Sequence, residues 1–143
     1  MAMPELPTTL TLEIVTPDRS LFRGEVKEVQ VPAAEGYMGI LPGHTPLLAN
    51  LQVGELSYRG AIEEGQMHVA LGFVEVLPDR VTVMAHVAER PDDIDVARAE
   101  AARQRAEERL AKPVPDIDFE RARISMMKSL IRLQIATRTR TGA

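Results

Sequence analysis

Leu10, Leu12 and Ile14 alternate with Thr11 and Glu13, the period-two pattern of a strand with one buried face, and Pro17-Asp18 supplies the turn that stops it. Residues 21–23 and 26–31 continue the pattern until Pro32-Ala33-Ala34-Glu35-Gly36 breaks the ladder. Further strands are predicted over residues 47–51, 54–59, 66–70, 73–77 and 81–87, with turn signals at Gly60, Glu64-Gly65, Gly72 and Pro78-Asp79 between them. Many short strands with frequent Gly and Pro turns argue for an all-β sandwich or flattened barrel over residues 1–90. Its centrepiece is the run Glu-Gly-Tyr-Met-Gly-Ile-Leu-Pro-Gly-His-Thr-Pro-Leu-Leu at residues 35–48. The glycines and prolines there predict a double turn at a sheet edge, joining two short buried segments.

The texture changes at Pro91. Asp92 and Asp93 are N-cap candidates, and an Ala-rich run of strong helix formers follows to Ala111. Ala99, Ala102, Ala106 and Leu110 share its apolar stripe, and alanines bury little area. Lys112-Pro113-Val114-Pro115 forbids continuation. Asp116 is placed to cap a second helix, with Asp118 and Glu120 in its first turn, where the helix dipole favours acids. This helix carries Phe119, Met126, Leu130 and Leu133 on one stripe and Ile124, Met127, Ile131 and Ile135 beside it. Residues 91–143 therefore read as an antiparallel two-helix hairpin, and the fold class as β + α. Small alanines against large side chains predict a hairpin marginal by itself and able to leave the sandwich; a pair permanently docked on the sheet is the equal alternative.

Composition narrows the chemistry. With no cysteine in 143 residues, thiol catalysis, thiolate metal sites and disulfides are excluded. No window is apolar and long enough to cross a membrane as a helix, so a soluble protein is expected, touching a membrane only through a partner. Residues 1–90 carry 6 basic and 12 acidic side chains and residues 91–143 carry 11 and 9. From Arg121 onward Arg121, Arg123, Lys128, Arg132, Arg138 and Arg140 face no later acid, which suits either an acidic partner or a solvated helix face.

No phosphate-cradling glycine motif, nucleophile elbow or zinc helix occurs, so no catalytic centre is expected. His44, His68 and His86 lack ligand spacing, and no metal site is expected. Phe22, Tyr37, Tyr58, Phe73 and Phe119 are not interleaved with basic residues, which argues against nucleic acid as a partner. One constellation carries chemistry. Asp95, Arg98 and Arg105 share a face of the first helix with Glu89 just upstream, and Lys128 and Arg132 lie one turn apart on the second. Folded antiparallel, the helices would converge carboxylates and cations around a nucleotide; ordinary surface ion pairing, such as Asp95 with Arg98, is the competing reading.

The run at residues 35–48, followed by Leu71-Gly72-Phe73-Val74-Glu75-Val76 and Ile94-Asp95-Val96-Ala97-Arg98-Ala99, resembles the epsilon subunit of the F-type ATP synthase, bacterial type, over almost the whole chain. The resemblance implies a β-sandwich that binds the gamma subunit and sits on the c-ring as part of a non-catalytic rotor. It also implies a hairpin that lies folded or extends into the alpha/beta catalytic head and obstructs ATP hydrolysis, at the cytoplasmic face of the membrane, driven by protons or sodium ions. Glu35, Tyr37, Met38, Gly39 and His44 look like the c-ring contact loop, and Arg121, Arg123, Lys128 and Arg132 like the inhibitory basic face. Ile94, Asp95, Arg98 and Ala99, with Glu89, Arg105, Lys128 and Arg132, match the place where some bacterial members hold ATP. The resemblance thus implies no required cofactor, with ATP as a regulatory ligand and an ATP-sensing module as the alternative function.

Overall fold

The computed structural model describes residues 5–112 and 116–140, the side chains of residues 116–118, 139 and 140 excepted. Strands β1 (Leu10–Val15), β2 (Ser20–Val26), β3 (Glu28–Ala33), β4 (Gly36–Ile40), β5 (Leu47–Leu51), β6 (Gly54–Arg59), β7 (Glu64–Leu77) and β8 (Arg80–Glu89) come first in the chain. One layer runs β2-β1-β8-β7-β5 and the other runs β4-β3-β6-β7. The alternation of the sequence is what fills the space between them. Leu10, Leu12 and Ile14 of β1, Val29 and Val31 of β3, Leu56 of β6 and Val81 and Val83 of β8 are all buried in one core. The predicted sandwich is observed.

β7 belongs to both layers. Its first half pairs with β6 and its second half with β5, and the bend between them falls at Leu71 (φ 63°) and Gly72 (φ 124°). The buried phase flips there, from Met67 and Val69 to Val74 and Val76. On β8 it flips in step, from Val83 and Ala85 to Ala88. The glycine signal at Gly72 is therefore a bend within one strand, where the sequence reading places a turn between two strands. A second correction concerns residues 35–48. Only the turns at Ala34-Glu35 and Pro42-Gly43 are turns, and β4 between them pairs along β3. Gly36 and Gly43 take the positive φ these turns require, at 124° and 86°.

After β8, Pro91–Asp93 form a single 3₁₀ turn, and α1 (Val96–Leu110) and α2 (Asp116–Arg140) follow. The cap of α1 is Asp95, whose Oδ1 accepts the Arg98 backbone N–H at 3.0 Å. Asp92 and Asp93 are not caps of α1; Asp93 instead accepts the Arg90 N–H at 3.4 Å and closes the 3₁₀ turn. The expectation of small residues on one helix against large ones on the other is also corrected. Ala99 and Ala106 of α1 are buried, and so are Ala122, Ser129 and Ala136 of α2, each set at heptad spacing, so small residues line both helices and the backbones approach closely. Ser129 is accommodated because its hydroxyl donates to the Ser125 carbonyl at 2.8 Å. Phe119 and Leu130, expected on the inner stripe, are 46% and 49% exposed. The expected break at Pro113-Val114-Pro115 lies outside the described residues, as do the side chains of Asp116 and Asp118, expected as cap and first-turn acid.

Candidate functional site

α2 lies on the outer face of β6, β7 and β8. Across these strands Glu55, His68 and Glu89 are directly opposed, so their side chains share that face. His68 is fully buried. Its Nδ1 sits 2.8 Å from Glu89 Oε1, and because a carboxylate only accepts, this ring nitrogen carries the hydrogen. The same Glu89 oxygen accepts from Arg132 Nε at 2.6 Å. On the other side of His68, Glu55 Oε2 accepts from Gln134 at 3.3 Å and from the Arg138 guanidinium. Two carboxylates of the sheet thus hold the helix astride one histidine. The apolar contact beside it is small and is made with the segment entering α1, not with the strands: Ile135 and Ala136 with Ile131 of α2 against Ile94 and Val96.

Burial pushes the His68 pKa down. The Glu89 hydrogen bond opposes that, and the charges of Arg132 and Lys128 add to it, leaving His68 below its ordinary value of 6.5. For Glu89 burial pushes up, but hydrogen bonds from His68 and Arg132, with the Arg132 charge, outweigh it and hold the carboxyl below its ordinary 4.5. Glu89 is therefore ionised and His68 neutral around pH 7. The remaining ring atom, His68 Nε2, is buried and has no hydrogen-bond partner among the described residues.

Of the residues expected to hold a nucleotide, the structure brings Glu89, Arg132 and Lys128 together around His68. Ile94 and Ala99 are buried packing residues. Asp95 accepts the backbone N–H of Arg98 through one carboxylate oxygen, and no Asp95–Arg98 side-chain ion pair occurs among the described residues. Arg98 and Arg105 are exposed on α1, and neither they nor Lys128 is in an ion pair with a carboxylate among the described residues. Asp95→Ala is expected to destabilise α1 by about 1 kcal/mol through loss of its cap, whereas Asp95→Ser keeps a cap and stays near neutral. Urea unfolding of the two variants checks this.

The four residues read as one basic face divide between two. At ~100° per residue Arg121, Lys128 and Arg132 share a side of α2, and Arg123 lies round the other. There Arg123 pairs with Glu120 at 3.1 Å. Residues of the expected contact loop divide likewise. Glu35 and Tyr37 lie at the β3–β4 turn, with the Tyr37 hydroxyl accepting the Glu55 N–H at 3.2 Å. Met38 packs on the core and Gly39 is exposed on β4. His44 lies beyond the other end of β4, bonding the Thr45 carbonyl at 2.7 Å, near the exposed Leu41, Leu47 and Leu48. No cluster of metal-ligating side chains occurs among the described residues.

The sequence points to neither Glu55 nor Gln134, and it presents His68 only as a rejected metal ligand and Arg138 only as part of the basic run. The signal for His68 lies in the run Met67-His68-Val69-Ala70-Leu71, which lacks the polar alternation of a half-exposed strand and so marks one covered on both faces; residues 67–70 are all buried.

Comparison with known proteins places these features in a family. The β-sandwich domain of the ATP synthase delta/epsilon chain matches residues 9–91, and its long α-helix domain matches residues 92–137. The chain belongs to the ATP synthase delta/epsilon family. It is 45% identical over 131 residues to the ATP synthase epsilon chain of Solibacter usitatus, covering 92% of this chain and 98% of that one. Identity to the epsilon chain of Halalkalibacterium halodurans is also 45% over 131 residues, at 91% and 98% coverage. Among solved structures, a chain of the Euglena gracilis mitochondrial ATP synthase superposes with TM-score 0.81 at 21% identity, covering 95% of this chain and 86% of that one, which shows the shared fold. It is an epsilon-type chain of ATP synthase and not the catalytic subunit. No helix among its described residues is long and apolar enough to cross a membrane.

Proposed function

We propose that this epsilon-type chain couples the gamma subunit to the c-ring in the rotor of an F-type ATP synthase and restrains ATP hydrolysis through its helical hairpin. The observation that carries the reading is the character of the dock. Among the described residues α2 meets the sheet through two ionic clamps, a contact that exchanges for water at modest cost. Its small apolar cluster is made with Ile94 and Val96, ahead of and at the start of α1, rather than with the strands. A hairpin held this way is suited to two positions. When it extends, Arg132 and Arg138 leave Glu89 and Glu55 and become available, with Arg121 and Lys128, to acidic segments of the alpha/beta head. The exposed leucines Leu41, Leu47 and Leu48 beside His44 supply apolar surface for rotor contact at the cytoplasmic face of the membrane, whether protons or sodium ions drive it.

ATP hydrolysis by an epsilon-depleted catalytic head, titrated with the full chain and with a chain ending at Arg90, tests this. Both are expected to bind and only the full chain to inhibit; inhibition by the truncated chain would remove the hairpin from the mechanism. Arg98, Arg105 and Lys128, cations without carboxylate partners among the described residues, favour a second reading, in which polyphosphate binds the folded hairpin and ATP acts as a regulatory ligand. Titration of the full chain with ATP separates it: no heat at millimolar ATP would dispose of the sensor.

A further inference from the structure

The Glu55–His68–Glu89 row places the one buried ionisable ring of the sheet under the helix that the proposed function requires to move. Neutral His68 meets its demands halfway. Nδ1–H donates to Glu89, and Nε2, a bare lone pair, points to no donor among the described residues. Protonation changes the balance. It creates a second N–H with no acceptor in a fully buried position and adds a positive charge where α2 already brings Arg132 and Lys128. The Glu89 carboxylate favours the charged ring, but the oxygen it offers is already shared with Arg132.

We propose that His68 is a proton-operated release for the helical hairpin: neutral, it allows α2 to lie across the sheet, and protonated, it drives α2 off. This deepens the reading in which the hairpin moves and rests on it. The groups facing His68 can be named from each packed element. From β8 comes Glu89. From β6 comes Glu55, whose charge is taken up by Arg138 and Gln134. From α2 come Arg132 and Lys128. The acids of the 3₁₀ turn are exposed, and Asp93 is engaged by Arg19 at 3.5 Å. Burial first, and then the cations of α2, separate the docked environment from the undocked one. Once α2 leaves, His68 is solvated with Glu89 still beside it.

The sign follows from linkage. The docked state holds the His68 pKa below its ordinary 6.5, so the docked state binds the proton less readily than the undocked state. Docking is complete well above pH 6.5 and is lost as the pH falls from there through the docked value. Glu89, also held low, adds a second loss only below its ordinary 4.5. Acidification therefore releases the hairpin in two separable steps, of which His68 governs the first.

The chain has no cysteine, so spin labels at Lys27→Cys on the sandwich and Leu130→Cys on α2 report one distance in the full chain. Between pH 8 and pH 5.5 a second, longer distance is expected to grow, by up to tenfold in population ratio for each unit by which α2 lowers the His68 pKa. His68→Gln, which keeps a donor to Glu89 and does not titrate, is expected to abolish the change over that range. NMR titration of the His68 ring in the unsubstituted chain supplies an independent reading and is expected to give a pKa below 6.5. Distances that do not respond to pH, a His68→Gln chain that responds as before, or a ring pKa at or above 6.5 would each overturn the proposal. The measurement uses no catalytic head, so its failure is distinct from a failure of the hairpin to inhibit hydrolysis.

Discussion

Gly72→Ala is expected to unfold the sandwich. Gly72 sits at the bend of β7 with φ +124°, a region that L-residues rarely adopt. A Cβ there would lie 2.1 Å from the Met84 carbonyl oxygen and 3.0 Å from the Ala85 Cα, both backbone atoms of the paired strand β8. Nothing flexible stands between. Relief requires β8 to move away along the Phe73–Met84 and Gly72–Ala85 pairings, and β8 is also the strand that holds β1. A loss above about 4 kcal/mol is expected, a large part of the 5–15 kcal/mol that holds a domain of ordinary stability. Gly39→Ala is the control, because Gly39 has ordinary φ and nothing within 4 Å of its Cβ position. Urea unfolding followed by circular dichroism should find Gly39→Ala near neutral and Gly72→Ala insoluble or severely weakened; a loss near 1 kcal/mol for Gly72→Ala would show that the two strands can part at the corner.

Glu89→Ala acts on a different boundary. It removes the acceptor shared by His68 and Arg132, leaving one buried ring and one guanidinium without the carboxylate that held both. Breaking a buried pair costs about 3–5 kcal/mol. Here the Glu89 and Arg132 side chains are 23% and 26% exposed, and water offsets part of the loss, so about 2 kcal/mol is the expected effect on docking. Backbone amides of α2 should exchange faster than in the unsubstituted chain, while those of β1 and β8 keep their protection. A cycle with Arg132→Ala distinguishes a shared contact from two separate ones. Strongly non-additive losses are expected, and additive losses would mean that Arg132 holds the helix independently of Glu89. The second clamp at Glu55 stays intact in all of these variants.

Much of this architecture was legible along the chain. Period-two alternation placed β1 because one face of it is buried in the core, and local apolar and polar choices follow that face directly, while turn signals on either side bounded β5 and β6. Pro91 and the alanine run placed the helices, since helix propensity and proline sterics act within a few residues. The charged groups proposed for a ligand site were partly legible as well: Glu89, Lys128 and Arg132 do gather. Asp95 was read as a ligand carboxylate, but the local backbone captured it as the cap of α1. Asp93 lost that role because a 3₁₀ turn intervenes between it and the helix.

What the sequence by itself determined, then, is which segments are strands and helices and which family they compose, because those depend on periodicity, turn chemistry and motifs within short windows. Tertiary structure decided the rest. Whether Gly72 ends a strand or bends one depends on β5 and β6 taking opposite halves of β7. The face of α2 turned inward was decided by how closely the alanines of α1 let it approach, which admitted Ala122, Ser129 and Ala136 and left Phe119 and Leu130 outside. The importance of His68 depends on the residues that three distant segments bring over it. A histidine in a strand is unremarkable until Glu89, Glu55 and α2 surround it, and the cost of charging it is set by those neighbours and by the water they exclude.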